Sequence, residues 1–386
     1  MNKILEYMLG VLVCMAVSNS AWAALACIPL NGAPRTDTVQ LSPPTISAGA
    51  DIPVGTVIFQ GQWMGGETGL SVMKCSSAVD TTIWYTTAWS IDQAPMPLAN
   101  WSGSPFAGAV YQTNIPGVGV AISRSPDSEA FILGQPHYRP DVSSPVTGGS
   151  YEPYLLNRNI YVTLIKIGTI TPGNYTLNAA SLPTSSISIV SALTHPATTG
   201  LPIKAYIVKL QGQLTVSAQT CTTPNVNVNL GSFDTGEHFT GQGATTPWVD
   251  ASIALTNCPT FYGFYNANNS TLMFNYNTGA KVANSANNSI GVRLTPTTSV
   301  LDAANGIMAI DSSVSGAATG VGIQLGWGNS SQAPTLFNFA GEQAVTLPKD
   351  GSPTIRVPLA ARYIQTAPHV SPGKANGKVT FTINYY

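Results

Sequence analysis

The chain has 386 residues, 44% hydrophobic and only 9% charged, with a formal net charge of −1. An ordinary domain carries about 25% charged residues, and the absence of any basic run argues against nucleic acid or an anionic membrane surface as a partner. The length allows two or three domains, and the hydrophobic content is enough to build a core in each.

Residues 1–23 read as a secretory signal, with Lys3 in a short leading region, an apolar stretch over residues 7–17, and a small-x-small cleavage pattern ending at Ala23. The apolar stretch is too short to span a bilayer, and the mature chain is expected to start at Ala24. Cys14 leaves with the signal, so Cys27, Cys75, Cys221 and Cys258 remain. Four cysteines allow three pairings. The wide gap between Cys75 and Cys221 favours local bridges, 27 with 75 and 221 with 258, in an oxidising compartment. Each would contribute roughly 4 kcal/mol on the chain-entropy estimate.

From Ala24 onward the chain reads as short strands punctuated by Gly and Pro, the pattern of sandwiches and barrels. In the first half the clearest strands are residues 51–60, 70–74, 81–89, 117–123, 160–167 and 203–210. Residues 134–153 read as a long loop, too rich in Pro, Gly and Ser for a strand. Gly212 is the natural hinge, which predicts a first domain over residues 24–212 and a second over 213–386. Strands continue over residues 214–220, 226–230, 251–255, 270–275, 289–296, 320–325, 344–347 and 354–365, with Asn-rich turns at 266–269 and 284–288. The chain closes on residues 377–386, where Val379, Phe381, Ile383 and Tyr385 alternate with Lys378, Thr380, Thr382 and Asn384. That period of two marks a half-buried strand, and an edge of it stays open unless something covers it.

Cys221, Asn229-Leu230-Gly231-Ser232-Phe233, Leu255-Thr256-Asn257-Cys258, Ile290-Gly291-Val292-Arg293-Leu294, Ala360-Ala361-Arg362-Tyr363 and the terminal strand with Tyr385 follow one another in an order that resembles the pilin domain of chaperone–usher fimbriae. The resemblance covers about 170 residues by the extent of that series. It implies an all-β chain of two immunoglobulin-like sandwiches, the second lacking its last strand. A periplasmic chaperone, and later an adjacent fimbrial subunit delivered by an outer-membrane usher, would lend that strand to a groove walled by Val379, Phe381, Ile383 and Tyr385. Only Ala24, Leu25 and Ala26 precede Cys27, so no strand is expected to be given in return. The layout therefore resembles a two-domain tip adhesin, exported through the periplasm to the fimbrial tip, with a receptor-binding first domain.

In the mannose-binding relatives the pocket uses the N-terminal amine and residues after the second cysteine, which points here to Ala24, Asp80 and Thr81. Their later polar cluster has no counterpart in Leu164-Ile165-Lys166-Ile167-Gly168-Thr169, so the resemblance does not extend to mannose. A second candidate surface comes from charge: Arg124, Asp127, Glu129, Arg139, Asp141, Glu152 and Arg158 crowd into one stretch of a sparsely charged domain, interleaved with Tyr138, Tyr151 and Tyr154. His137, Tyr138, Arg139, Asp141, Tyr151 and Glu152 are the residues singled out there, since aromatics beside polar groups suit sugar or protein recognition. Trp63, flanked by glycines, is expected to be exposed on a turn, and Trp89 to be core. No nucleophile elbow, metal-protease signature or phosphate loop is present, and neither an enzyme nor a cofactor or metal is expected. The readings that remain are a glycan-binding tip adhesin, an adhesin for an extracellular host protein, and a structural tip subunit without a ligand.

Overall fold

The structure, a computed structural model, describes residues 24–155 and 158–386. The signal read over residues 1–23 lies outside the described residues. All but a few of the ordered segments are strands; the one α-helix among the described residues, Thr235–His238, is a single turn capped by the Asp234 carboxylate.

Two facing sheets make the first unit. One runs in the hydrogen-bonded order Val142–Val146, Thr81–Gln93, Thr184–Ser191, Ile203–Gln211, Arg35–Gln40, with the short His137–Tyr138 strand also on Thr81–Gln93. The other runs Thr271–Asn275, Val57–Gly65, Arg158–Lys166, Val118–Ser123, Tyr111–Gln112. Alternation along each strand sends Ile83, Ile160, Val162, Ile187 and their neighbours into one core between the sheets. Val142–Val146 is an edge strand, which is why Pro145, unable to donate a ladder hydrogen bond, is tolerated in it. Residues 134–153 are thus not a loop. The Pro and Gly that suggest one separate three short strands, His137–Tyr138, Val142–Val146 and Ser150–Tyr151, each docked on a longer partner.

Two features of this unit depend on later residues. Gln213–Ser217 pairs with Asn174–Asn178 and Thr45–Ser47, and its Leu214 and Val216 are fully buried in the first core, so the chain leaves this unit only after Ala218. Thr271–Asn275 crosses from the second half to lie parallel to Val57–Gly65. Met273 enters the first core there, directly over Gly61, where a Cβ would stand 2.5 Å from the Met273 Sδ.

The second unit packs Val249–Asp250, Leu359–Gln365, Val321–Trp327, Ile307–Ala309 and Val300–Asp302 against a sheet ordered Gln343–Thr346, Ser289–Pro296, Val379–Tyr385. Ile253–Leu255 pairs with Ile355–Val357 alongside. Leu255, Val292, Leu294, Phe337 and Val357 form its core. The bridges Cys27–Cys75 and Cys221–Cys258 staple the two units separately.

Candidate functional site: an open strand edge and a recognition surface

Among the described residues the terminal strand Val379–Tyr385 has one neighbour, Ser289–Pro296, in a register running from Pro296–Val379 to Ile290–Tyr385. Tyr386 exchanges backbone hydrogen bonds with Ser289, so the even-numbered residues face that neighbour. The odd ones face away, as the Tyr385 carbonyl shows by accepting from the Asp51 amide. It follows that the N–H and C=O groups of Val379, Phe381 and Ile383 point out along a free edge, while their side chains pack against the second core. All three are half-buried rather than buried. Both facts describe a groove that lacks a strand.

The other wall is the stretch after Cys221. Residues 226–230 are expected as a strand, yet beyond the Thr222–Thr256 pair no backbone hydrogen bond joins residues 223–230 to another strand among the described residues. Val226 and Leu230 nevertheless lean on the same core as Phe381. The alternation read there is real, but a strand needs a partner to exist, and none among the described residues is in place. At one end of the groove Thr223 and Ile383 line a cavity of about 400 Å³, shared with Ala50, Asp51 and Pro172 of the first unit.

Tyr385 lines that cavity beside Ile383 and closes the end of the groove. Its backbone N–H donates to the Asp51 carboxylate (2.8 Å), its carbonyl accepts from the Asp51 N–H (3.1 Å), and its hydroxyl accepts from the Cys221 N–H (2.9 Å). Burial pushes its phenol above the ordinary tyrosine value. Gly49 permits this contact, because a Cβ there would lie 2.1 Å from the Tyr385 carbonyl oxygen.

On the first unit, strand Thr81–Gln93 separates the predicted recognition residues into two groups. On its outer side Trp84 stacks on His195, with ring centroids 3.7 Å apart. Asp141 accepts from the Leu193 and Thr194 amides and from the Thr194 hydroxyl (2.6 Å). These bonds, the hydroxyl first, hold its carboxyl below the usual range and occupy Asp141 in bracing a loop. On the inner side the Tyr85 and Tyr151 hydroxyls meet at 3.0 Å, and Ser144 donates to Tyr151 at 2.9 Å. Burial and the adjoining Tyr151 push the Tyr85 phenol up to about 12.

His137 lies 3.5 Å from Glu129, which also pairs with Arg124. The Ser125 hydroxyl, then Arg124, hold the Glu129 carboxyl below its ordinary value. Arg124 in turn sits over the Trp89 ring, 5.4 Å from its centroid. The Arg139 backbone is fixed by Thr86 and Thr87, leaving its side chain exposed. Arg158 has its pKa lowered by burial first and then by the positive charge of Arg139, with Arg124 adding to it and Tyr85 opposing. The surface thus gathers His137, Arg139 and Tyr151 with Arg124, Glu129, Ser144, Tyr85 and Arg158.

Other expected residues fall elsewhere. Trp63 is fully buried in strand Val57–Gly65, its indole donating to Asp37 (2.9 Å) and meeting Tyr206 edge-on. Gly61 makes room for Met273 and Gly65 for the Trp63 ring, while Gly66, at φ +99°, lies just past the strand. Asp37 also accepts from Tyr276, reached through the chain that carries Thr271–Asn275, and burial raises its carboxyl above the usual range. Asp80 is exposed and accepts only from the Gly148 amide (3.4 Å). Thr81 starts its strand opposite Val146, and Ala24 precedes the strand whose Ala26 pairs with Ser76. Glu152 makes a surface pair with Lys74 (3.4 Å). Tyr138 is 41% exposed. Ser144 and Tyr85 carried no charge signal in the sequence; only the inward phase of the strand points to Tyr85.

Residues 208–386 match the family model described as Fimbrial protein. That range takes in the whole of the second unit. No curated protein matches the chain. Among solved structures, the chain is similar to the CupB6 tip adhesin of Pseudomonas aeruginosa at 16% identity, covering 94% of this chain and 92% of that one, with a TM-score of 0.33. It is similar to the receptor binding domain of the plasmid-borne adhesin MrkD1P of Klebsiella pneumoniae at 19% identity, covering 52% of this chain and 99% of that one, with a TM-score of 0.30. In the CsuC–CsuE chaperone–tip adhesion subunit complex of Acinetobacter baumannii the figures are 13% identity, 93% and 100% coverage, and a TM-score of 0.25.

Proposed function

We propose that the chain is a fimbrial tip adhesin. Its second unit accepts a strand, first from a periplasmic chaperone and then, at the outer-membrane usher, from the adjacent fimbrial subunit. Its first unit is displayed at the cell surface and binds a receptor, a glycan. The observation that carries the reading is the open edge of Val379, Phe381 and Ile383 facing an unpaired segment over one apolar core. An alternating peptide laid there would satisfy both backbones and bury its own apolar face. Left empty, such an edge is a template for aggregation, which gives a chaperone its physical role. The strand before Cys221 cannot be lent out, because Gln213–Ser217 is built into the first unit.

The test is recovery from the periplasm. The reading expects a one-to-one complex with a chaperone, released by a peptide copying another subunit's N-terminal extension. A stable monomer that ignores the peptide would refute it. For the receptor, a glycan array probed with the whole chain should give saturable hits; an array without hits, beside binding to an extracellular host protein, would replace glycan by protein.

A further inference from the structure

This inference rests on the receptor reading and names the class of receptor. The basic groups of the first unit are mostly matched: Arg35 with Glu67, Lys74 with Glu152, Arg124 with Glu129, Lys204 with Asp92, and Lys166 with the carbonyls of Ala50 and Ile52. Apart from exposed Lys209, Arg139 and Arg158 are the ones whose side chains have neither a carboxylate nor a carbonyl partner among the described residues. Arg158 opens strand Arg158–Lys166 on the face that carries Ile160 and Val162 into the core. Its Nε is buried and has no hydrogen-bond partner among the described residues. A sequestered guanidinium beside a second positive charge is costly unless an anion joins it. Next to it the Tyr206 hydroxyl, on a side chain with no exposed surface, is also unpartnered. The nearby acids are already engaged, Glu129 by Arg124 and Asp141 by its loop.

We infer that Arg139 and Arg158 bind the carboxylate of an acidic sugar, with the Tyr151 and Ser144 hydroxyls meeting sugar hydroxyls and exposed Tyr138 offering a ring face. A guanidinium fork matches a carboxylate with two parallel hydrogen bonds, and phenols combine a face for the sugar ring with a polar tip.

The probes are a sialic-acid-terminated oligosaccharide, a uronate-terminated one, and the same two with the carboxyl reduced to an alcohol. Each is titrated against the full mature chain. The acidic forms should bind about tenfold or more tighter than their reduced counterparts, the effect of one charge-assisted pair, and the preference should fade with added salt. Arg158→Gln and Arg139→Gln should each remove most of the preference. Arg139 is exposed, so its variant keeps the wild-type melting temperature and reports on binding even where Arg158→Gln does not fold. Equal binding of acidic and reduced sugars, or a preference untouched by Arg139→Gln, overturns the inference and leaves the glycan reading standing. Binding of neither form on any glycan overturns both.

Discussion

The two units treat the same problem, an unfinished sheet, in opposite ways. The first takes Thr271–Asn275 from far along the chain and lays it beside Val57–Gly65, so that Met273 fills its core. The second leaves Val379–Tyr385 with one neighbour among the described residues and a row of outward amides. The difference teaches that completeness is not set by how many strands a segment contains. The second unit has given one strand to its neighbour and leaves an edge of its own open.

The comparison can be broken most severely at the open edge. Replacing Phe381 and Ile383 together by Asp forces charges onto the core side of the groove at a cost of several kcal/mol. No protein should be recovered from the periplasm, whereas Thr380→Asp with Thr382→Asp, on exposed positions, should leave recovery near wild type. At the closed edge, Met273→Ala removes a buried side chain and should destabilise the first unit by about 2–5 kcal/mol, read as a lower unfolding midpoint of the whole chain. A fragment ending at residue 212 omits both Leu214 with Val216 and the crossing strand, so it should be insoluble, and extension to Ala218 should recover solubility only in part. Asp51→Ala removes the carboxylate that takes the Tyr385 N–H and should cost about 1–3 kcal/mol, measured by denaturation of the peptide-filled protein. The smallest effect concerns Glu129. Its depressed pKa means a stabilising contribution present above the ordinary glutamate value and lost as pH falls through the folded one. The stability gap between wild type and Glu129→Gln should therefore close on acidification.

Much of this was legible because alternation is local. The terminal strand and the strand read over residues 160–167 follow from patterns within a short window, and the two cysteine pairs from the spacing of four cysteines. What was not legible is which sheet a strand joins. Residues 270–275 read as a strand of the second domain, and nothing in their periodicity points to a partner two hundred residues earlier. Trp63 between glycines looked like a turn because a glycine beneath a bulky neighbour and a glycine in a bend are the same letter. The candidate surface was half visible: the excess of charge drew attention to Arg139 and Tyr151, but Tyr85 and Ser144 joined them only through the packing of an edge strand.

The crossing strand has a mechanical consequence. Among the ties that hold the units together are the covalent passage from Ala218 to Cys221, the parallel ladder of Thr271–Asn275 on Val57–Gly65, the bonds of Ser47 to Tyr262, Gly263 and Asn288, and the clasp of Asp51 on Tyr385. A pull that separates the units must load that ladder and that clasp along with the linker. Tension entering at the base of the second unit therefore arrives in the first through its sheet, spread over many bonds, and the junction behaves as a splice rather than a hinge.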